Sequence, residues 1–370
     1  MILESLNATN FKNIGECSLE FSPKINCLLG NNGMGKSNLL DAIFYLSFTK
    51  SFTRVPDSML IRRGETFGIL TGKFERHGFD ELINVGFRQG ARKSFKRGGK
   101  EYKRISTHIG LFPTVMVAPA DQALVTDGAE ERRRFIDMII SQADAQYLDA
   151  LMRYNQCLEQ RNRLLRDGST DEFLYESLEG MMDADARLIE SRRASYLAEL
   201  ESDFSEYYRQ IAGNDEAVGI EYIRNTAAYS SPAKAWADVR GRDTLLKFTS
   251  KGPHRDDISF SVCGLPARQT ASQGQTKTLT IALRLAQYAF LKRITGHAPL
   301  LLLDDIFDKL DAERVARIME IVSRDDFGQI FITDTNRKHL DEILRHTGPD
   351  YRMWHVDRGM FTPLTADETI

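Results

Sequence analysis

The stretch Gly30-Asn31-Asn32-Gly33-Met34-Gly35-Lys36-Ser37 constrains this chain more than any other. It satisfies the pattern G-x-x-x-x-G-K-[ST] at every position, and each residue type has a physical reason. Glycines let the backbone close around phosphate oxygens with consecutive N–H groups turned inward. A helix beginning near Lys36 adds the positive end of its dipole. Lys36 is expected to reach the β- and γ-phosphates, and the Ser37 hydroxyl to hold Mg²⁺. The context fits. Ile25-Asn26-Cys27-Leu28-Leu29 reads as a buried strand, and the run from Asn38 to Leu46 has helical apolar spacing. Strand, glycine loop and helix in that order make a nucleotide cradle, with residues 30–38 as its candidate contacts.

The 370 residues, 42% hydrophobic and 27% charged, suffice for one large or two smaller soluble domains. No uncharged apolar run reaches about 18 residues, so no transmembrane helix is expected. The start, Met1-Ile2-Leu3-Glu4-Ser5-Leu6, lacks the basic-then-apolar signature of a secretory leader. Cys17, Cys27, Cys157 and Cys263 have no metal-ligand spacing and read as buried thiols in a reducing, cytoplasmic setting. The histidines form no H-E-x-x-H pair, so the only metal expected is Mg²⁺ with nucleotide. A net charge of −3 means that a polyanionic partner would need a local basic patch.

Taken in order, residues 2–8 and 17–21 alternate as two antiparallel strands around the polar turn Asn10-Phe11-Lys12-Asn13. Lys12, beside the phosphate loop, is a candidate phosphate contact. Arg54, in the loop of residues 51–57, is a candidate for phosphate or DNA; an ordinary surface role is the alternative for both. A strand-rich tract runs to about Val117, with strands at 67–74 and 81–87. Residues 93–104 form a basic hairpin turning at Gly98-Gly99. That hairpin has two readings, a solvated charged edge or a phosphate-contacting surface of Lys96, Arg97 and Lys100 interleaved with Phe95 and Tyr102.

From about Ala118 the pattern becomes helical. Tyr147, Leu151, Tyr154 and Leu158 share one face; Leu174, Leu178, Met181, Ala184 and Leu188, then Leu200, Phe204, Tyr207 and Ile211, share another. Two long antiparallel helices follow, too short for an extended coiled-coil arm. Strand grammar returns near Leu245. Leu300-Leu301-Leu302-Leu303-Asp304-Asp305 and Gly328-Gln329-Ile330-Phe331-Ile332-Thr333-Asp334-Thr335 are apolar enough for parallel strands buried on both faces. The expected fold is α/β: residues 1–120 and 245–370 form a P-loop ATPase head, a mixed sheet flanked by helices, and residues 121–244 are an inserted helical second lobe.

Asp304 and Asp305 supply what the loop lacks. One carboxylate at a strand end can hold Mg²⁺ with Ser37, and the next can act as general base toward water. Ser272-Gln273-Gly274-Gln275, capping a helix, makes a second anion cradle. One chain seldom needs two cradles for one triphosphate. The arrangement resembles ABC-type ATPases, whose signature turn closes on the nucleotide of the other subunit. Asp308-Lys309-Leu310-Asp311 resembles the loop after the acidic strand in that class, and Thr333-Asp334-Thr335 stands at its switch position, often histidine.

Together with Arg132-Arg133-Arg134-Phe135-Ile136-Asp137, Gln160-Arg161-Asn162 and Gly252-Pro253-His254-Arg255-Asp256-Asp257, these motifs resemble the RecF family along essentially the whole chain. The resemblance implies an SMC-like head without a long coiled coil. It further implies ATP-dependent homodimerisation, double-stranded DNA binding, slow ATP hydrolysis, and recombinase loading at single-strand gaps with RecO and RecR. Three positions depart from the patterns: Ala271 for the usual ABC leucine, Gln273 for the first signature glycine, and Asp305 for the usual glutamate. Pro119-Ala120-Asp121 stands where the family tends to carry Pro-Glu-Asp. A transporter subunit would use a shorter loop-to-acid spacing, and a simple phosphotransferase would leave residues 272–275 without work.

Overall fold

The computed structural model describes residues 1–307, 310–335 and 351–364. The chain divides into two compact units: unit 1 is Met1–Asp121, Gln210–Gly213 and Gln287–Ile370; unit 2 is Gln122–Arg209 and Asn214–Ala286. Strands β1 (Ile2–Phe11), β2 (Ile14–Glu20) and β3 (Ile25–Leu29) precede helix α1 (Lys36–Phe48). Next come β4 (Phe67–Arg76), β5 (Phe79–Arg88), β6 (Ser94–Arg97), β7 (Lys100–Glu101) and β8 (Thr114–Val117). Helices α2 (Ala123–Thr126), α3 (Ala129–Ala143), α4 (Ala145–Asp167) and α5 (Glu172–Ala212) lead to β9 (Val218–Ile223) and α6 (Pro232–Leu246). Then follow β10 (Asp257–Val262), β11 (Leu265–Pro266), α7 (Ala267–Thr270) and α8 (Gln273–Thr295). The last described elements are β12 (Leu300–Asp304), α9 (Ala312–Val322), β13 (Ile330–Asp334), β14 (Tyr351–Asp357) and β15 (Met360–Leu364).

Unit 1 holds two six-stranded sheets. One is antiparallel, in the order β2-β1-β4-β5-β6-β7; the other has the order β15-β14-β3-β13-β12-β8. In the second, β14, β3, β13, β12 and β8 run parallel and only β15 is antiparallel. Strands β3, β8, β12 and β13 are buried at every position, as their unbroken apolar runs require. Helix α1 packs against strands of both sheets, which explains why it is apolar nearly all round rather than along one stripe.

Unit 2 carries the three-stranded sheet β11-β10-β9 and helices from α2 to the first half of α8. The return of strand grammar at 245 is not the boundary: unit 2 continues to Ala286. The reason is pairing, since β10 runs antiparallel to β9 from Asp257↔Ile223 to Val262↔Val218. Helix α5 is one continuous 41-residue helix, about 60 Å long. Its expected apolar stripe is out of phase in the first half. Tyr175, Met182, Ala186 and Ile189 are buried, whereas Leu174 and Met181 are exposed. Charged partners on the inward face, Glu179 and Asp185, hid the true register from an apolar count. The second half, with Leu200, Phe204 and Ile211 buried, follows expectation.

Two of the four cysteines depart from the expectation of burial. Cys17 is half-buried, and Cys263 is exposed at a turn residue with φ of 50°. Among the described residues, no helix is long and apolar enough to cross a membrane.

Candidate nucleotide site

Parallel pairing places the C-terminal ends of β3, β13 and β12 along one sheet edge, where open α/β sheets place ligand sites. Leu29 lies opposite Asp334, and Thr333 opposite Asp304. The loop of residues 30–37 leaves this edge and turns into α1 through Gly35, whose φ of 119° is accessible only to glycine. Gly30 is equally constrained, because a Cβ there would lie 2.3 Å from the Val356 carbonyl oxygen. Asn13 secures the outer side of the loop: its Nδ2 donates to Met34 O at 3.1 Å, and its Oδ1 accepts from Asn38 Nδ2 at 2.8 Å. Asn31, Asn32 and Gly33 are exposed.

Lys36 is only 5% exposed, and its Nζ donates to Gly30 O at 2.5 Å and Asn31 O at 3.0 Å. Burial lowers its pKa, while Asp305, Asp304 and Asp334 oppose that shift. Ser37 Oγ donates to Asp304 Oδ1 at 2.8 Å, joining residues 267 positions apart. Thr333 Oγ1 donates to the same oxygen at 2.8 Å and accepts from Asp305 N at 2.9 Å. Burial raises the Asp304 pKa, against the lowering effect of the Ser37 and Thr333 hydrogen bonds. Asp305 adopts φ of 47°, a left-handed conformation that aspartate tolerates better than most residues. A glycine cradle, a buried lysine, and a serine and carboxylate sharing a hydrogen bond fit a nucleoside triphosphate with Mg²⁺.

Sequence reasoning assigned Thr333 only a position, and the structure adds the contact. Its strand lies between β3 and β12, so its hydroxyl bridges the Asp304 carboxylate and the Asp305 backbone N–H. Asp308 and Lys309 lie outside the described residues. Asp311 caps α9, accepting from Arg314 N at 2.9 Å.

Lys12, one of the two basic candidates near the loop, is engaged locally. Lys12 Nζ lies 2.6 Å from Asp41 Oδ2 and donates to Thr53 Oγ1 at 3.1 Å. Asp41 also accepts from Ser51 Oγ and Phe52 N, both at 2.6 Å, which ties residues 51–53 to α1. Arg54 follows, exposed and with φ of 61°.

The basic hairpin needs correction. Phe95 is 1% exposed and belongs to the core, and Tyr102 Oη pairs with His108 Nδ1 at 2.8 Å, so no aromatic ladder faces solvent there. Arg97 is paired with Glu81, its Nη2 donating at 2.8 Å, which leaves Lys96 and Lys100 as the exposed cations of the three. Alternation put Phe95 on the inner face, a signal that the charge count obscured.

In unit 2 the turn of residues 272–275 is a capping box. Ser272 Oγ accepts from Gln275 N at 3.1 Å, and Gln275 Oε1 accepts from Ser272 N at 2.9 Å. The remaining family motifs converge instead on a buried ionic knot. Arg193, 2% exposed, donates to Asp137 at 2.8 Å, Pro253 O at 2.7 Å and Asp256 at 3.3 Å. Arg132 pairs with Asp257 at 2.7 Å, and Arg133 Nη1 donates to Asp256 O at 2.6 Å. Arg161, fully buried, meets Glu179 and Asp243, each at 2.9 Å, and Thr249 at 2.8 Å. His254 sits between Tyr154 Oη at 2.6 Å and Thr249 O at 3.0 Å, and burial pushes its pKa down to about 3. Asp121 accepts from Ala118 N at 2.9 Å, making Pro119-Ala120-Asp121 a local cap.

Fold and site define an ATPase head of the ABC and SMC class. The family model described as RecF/RecN/SMC N terminal domain matches residues 2–352. A DNA replication and repair protein RecF of Parabacteroides distasonis is 48% identical over 364 residues, covering 98% of this chain and all of that one. The RecF of Bacteroides fragilis is 44% identical over 370 residues, covering both chains fully. A solved structure of the recombination mediator protein RecF-ATPrS in the RecFOR pathway superposes with TM-score 0.87 at 28% identity, covering 98% of both chains. An Smc head domain from Pyrococcus furiosus shares the fold, with TM-score 0.58 at 17% identity, over 98% of this chain and 96% of that one. The chain belongs to the RecF family of DNA replication and repair proteins.

Proposed function

We propose that this protein is an ATP-gated DNA clamp of recombinational repair and replication restart. Two copies sandwich two ATP molecules, each between residues 30–38 of one protomer and residues 272–275 of the other. The reading rests above all on the Ser37–Asp304 hydrogen bond of 2.8 Å, a serine and carboxylate converging beside a buried lysine. Mg²⁺, when bound, neutralises charge on the triphosphate. Ser37 and Asp304 hold the ion, and Lys36 turns from the loop carbonyls to the phosphates. Asp305 takes the proton from water; as a side chain one methylene shorter than glutamate it makes a slow base, which suits a timer. RecF family membership supports double-stranded DNA as partner, with RecO- and RecR-type proteins assisting recombinase loading at single-strand gaps in the cytoplasm.

Sedimentation of the purified protein with and without ATP and duplex DNA tests this reading. Wild type is expected to dimerise only with ATP and to bind duplex as the dimer, whereas Lys36→Ala stays monomeric. Dimerisation of Lys36→Ala at wild-type ATP concentrations would overturn the assignment.

A further inference from the structure

We infer that Glu216 is a positioning residue for the turn of residues 272–275, fixing it in the conformation presented to a second copy's triphosphate. The inference rests on the shared-site reading above and adds a residue to it. Glu216 lies in the connection between α5 and β9, 59 positions from the turn it holds. Its Oε1 accepts from Gln275 Nε2 at 3.1 Å, and its Oε2 accepts from the hydroxyl of the buried Tyr208 at 2.7 Å.

The direction of each bond follows from the chemistry of the groups. An ionised carboxylate only accepts, so Glu216 can hold only the NH₂ end of the Gln275 amide. A backbone N–H only donates, so Ser272 N can engage only the oxygen end. The amide therefore has one orientation that satisfies both neighbours, and Glu216 selects it. With its oxygen committed to Ser272 N, Gln275 completes the capping box. In that box Ser272 Oγ serves as an acceptor, and its hydroxyl proton is the group available to an incoming anion. Without Glu216 the amide can rotate, half the box opens, and the turn must be ordered when the second protomer arrives.

Glu216→Ala, Glu216→Gln and Ser272→Arg, with wild type, test the relay in the full-length protein. Amide hydrogen exchange across residues 272–276 is measured without nucleotide, and dimerisation is measured by sedimentation with a non-hydrolysable ATP analogue. Glu216→Ala is expected to exchange faster at the turn and to weaken the dimer about tenfold, the scale of a lost cap. Its monomer affinity for the analogue should stay within about twofold, because the turn serves the other copy's nucleotide. Glu216→Gln keeps an acceptor for Gln275 and should return both readouts to within about threefold of wild type. Unchanged exchange in Glu216→Ala, or a wild-type dimer when Ser272→Arg fails to dimerise, overturns the inference. If Ser272→Arg dimerises normally, the shared-site reading falls, and exchange at residues 272–276 still decides the relay.

Discussion

The phosphate-loop edge of unit 1 and the ionic knot of unit 2 are both built from conspicuous charged motifs, yet their charges are arranged oppositely. Lys36 is held by carbonyl dipoles, and the charges of Asp305, Asp304 and Asp334 oppose the lowering of its pKa by burial. Arg193 and Arg161 are in direct contact with carboxylates, of which Asp256, Glu179 and Asp243 are as buried as the arginines and Asp137 is partly exposed. A cation resting on neutral carbonyls can transfer to an anion at modest cost, because the carbonyls it leaves carry no net charge. A cation between buried carboxylates cannot leave without stranding them. The first arrangement suits ligand binding and the second suits architecture.

Substitutions can break that contrast. The largest effect is expected from Arg193→Ala, which leaves Asp137 and Asp256 without their buried partner. Loss of about 3–5 kcal/mol of stability should appear as a lowered urea midpoint. Lys36→Ala should leave the urea midpoint within about 1 kcal/mol of wild type while lowering ATP affinity by about 100-fold or more in equilibrium binding. If both variants unfold alike, the distinction between transferable and locked charge is wrong.

Among the described residues, the buried His108 and the half-buried His254 sharpen the comparison through pH. His254 in unit 2 is lowered from 6.5 to about 3, and His108 in unit 1 from 6.5 to about 4, each chiefly by burial. Folded pKa values below the unfolded ones mean that the unfolded chain binds more protons in between. Stability contributed by neutral His254 is present above pH 6.5 and lost as pH falls toward about 3. Each such histidine adds at most about 1.4 kcal/mol of loss per pH unit within its window. His254→Gln should flatten the acid limb of a stability–pH curve; an unchanged limb would show that another group carries it.

The smallest effect is expected on the hairpin. Replacing Lys96, Arg97 and Lys100 with alanine should lower the salt slope of duplex binding by about two phosphate contacts rather than three, because Arg97 already pairs with Glu81. A full three-unit fall would mean that Glu81 releases Arg97 to DNA. No fall at all would return the hairpin to a solvated edge.

The phosphate loop, the acidic strand end and the signature-like turn were readable from residue order, because each is a local pattern whose chemistry depends on a few consecutive residues. The apolar runs of β3, β12 and β13 were readable for the same reason, since burial on both faces leaves no alternation. Phase was harder. The first half of α5 buries Glu179 and Asp185 against arginines, so its inward face was not its most apolar one. Phe95 was lost in a basic run although alternation placed it inside.

Sequence by itself determined that the chain cradles a triphosphate, where the carboxylates lie in the chain, and which family it resembles. Tertiary structure alone decided that Thr333 links Asp304 to Asp305, that Glu216 reaches Gln275, and that Arg132, Arg161 and Arg193 pair with carboxylates within unit 2. The physical reason is range. Backbone cradles and helix caps form between neighbours in sequence, whereas the pairing of a buried charge depends on what the fold brings from 18 to 125 positions away.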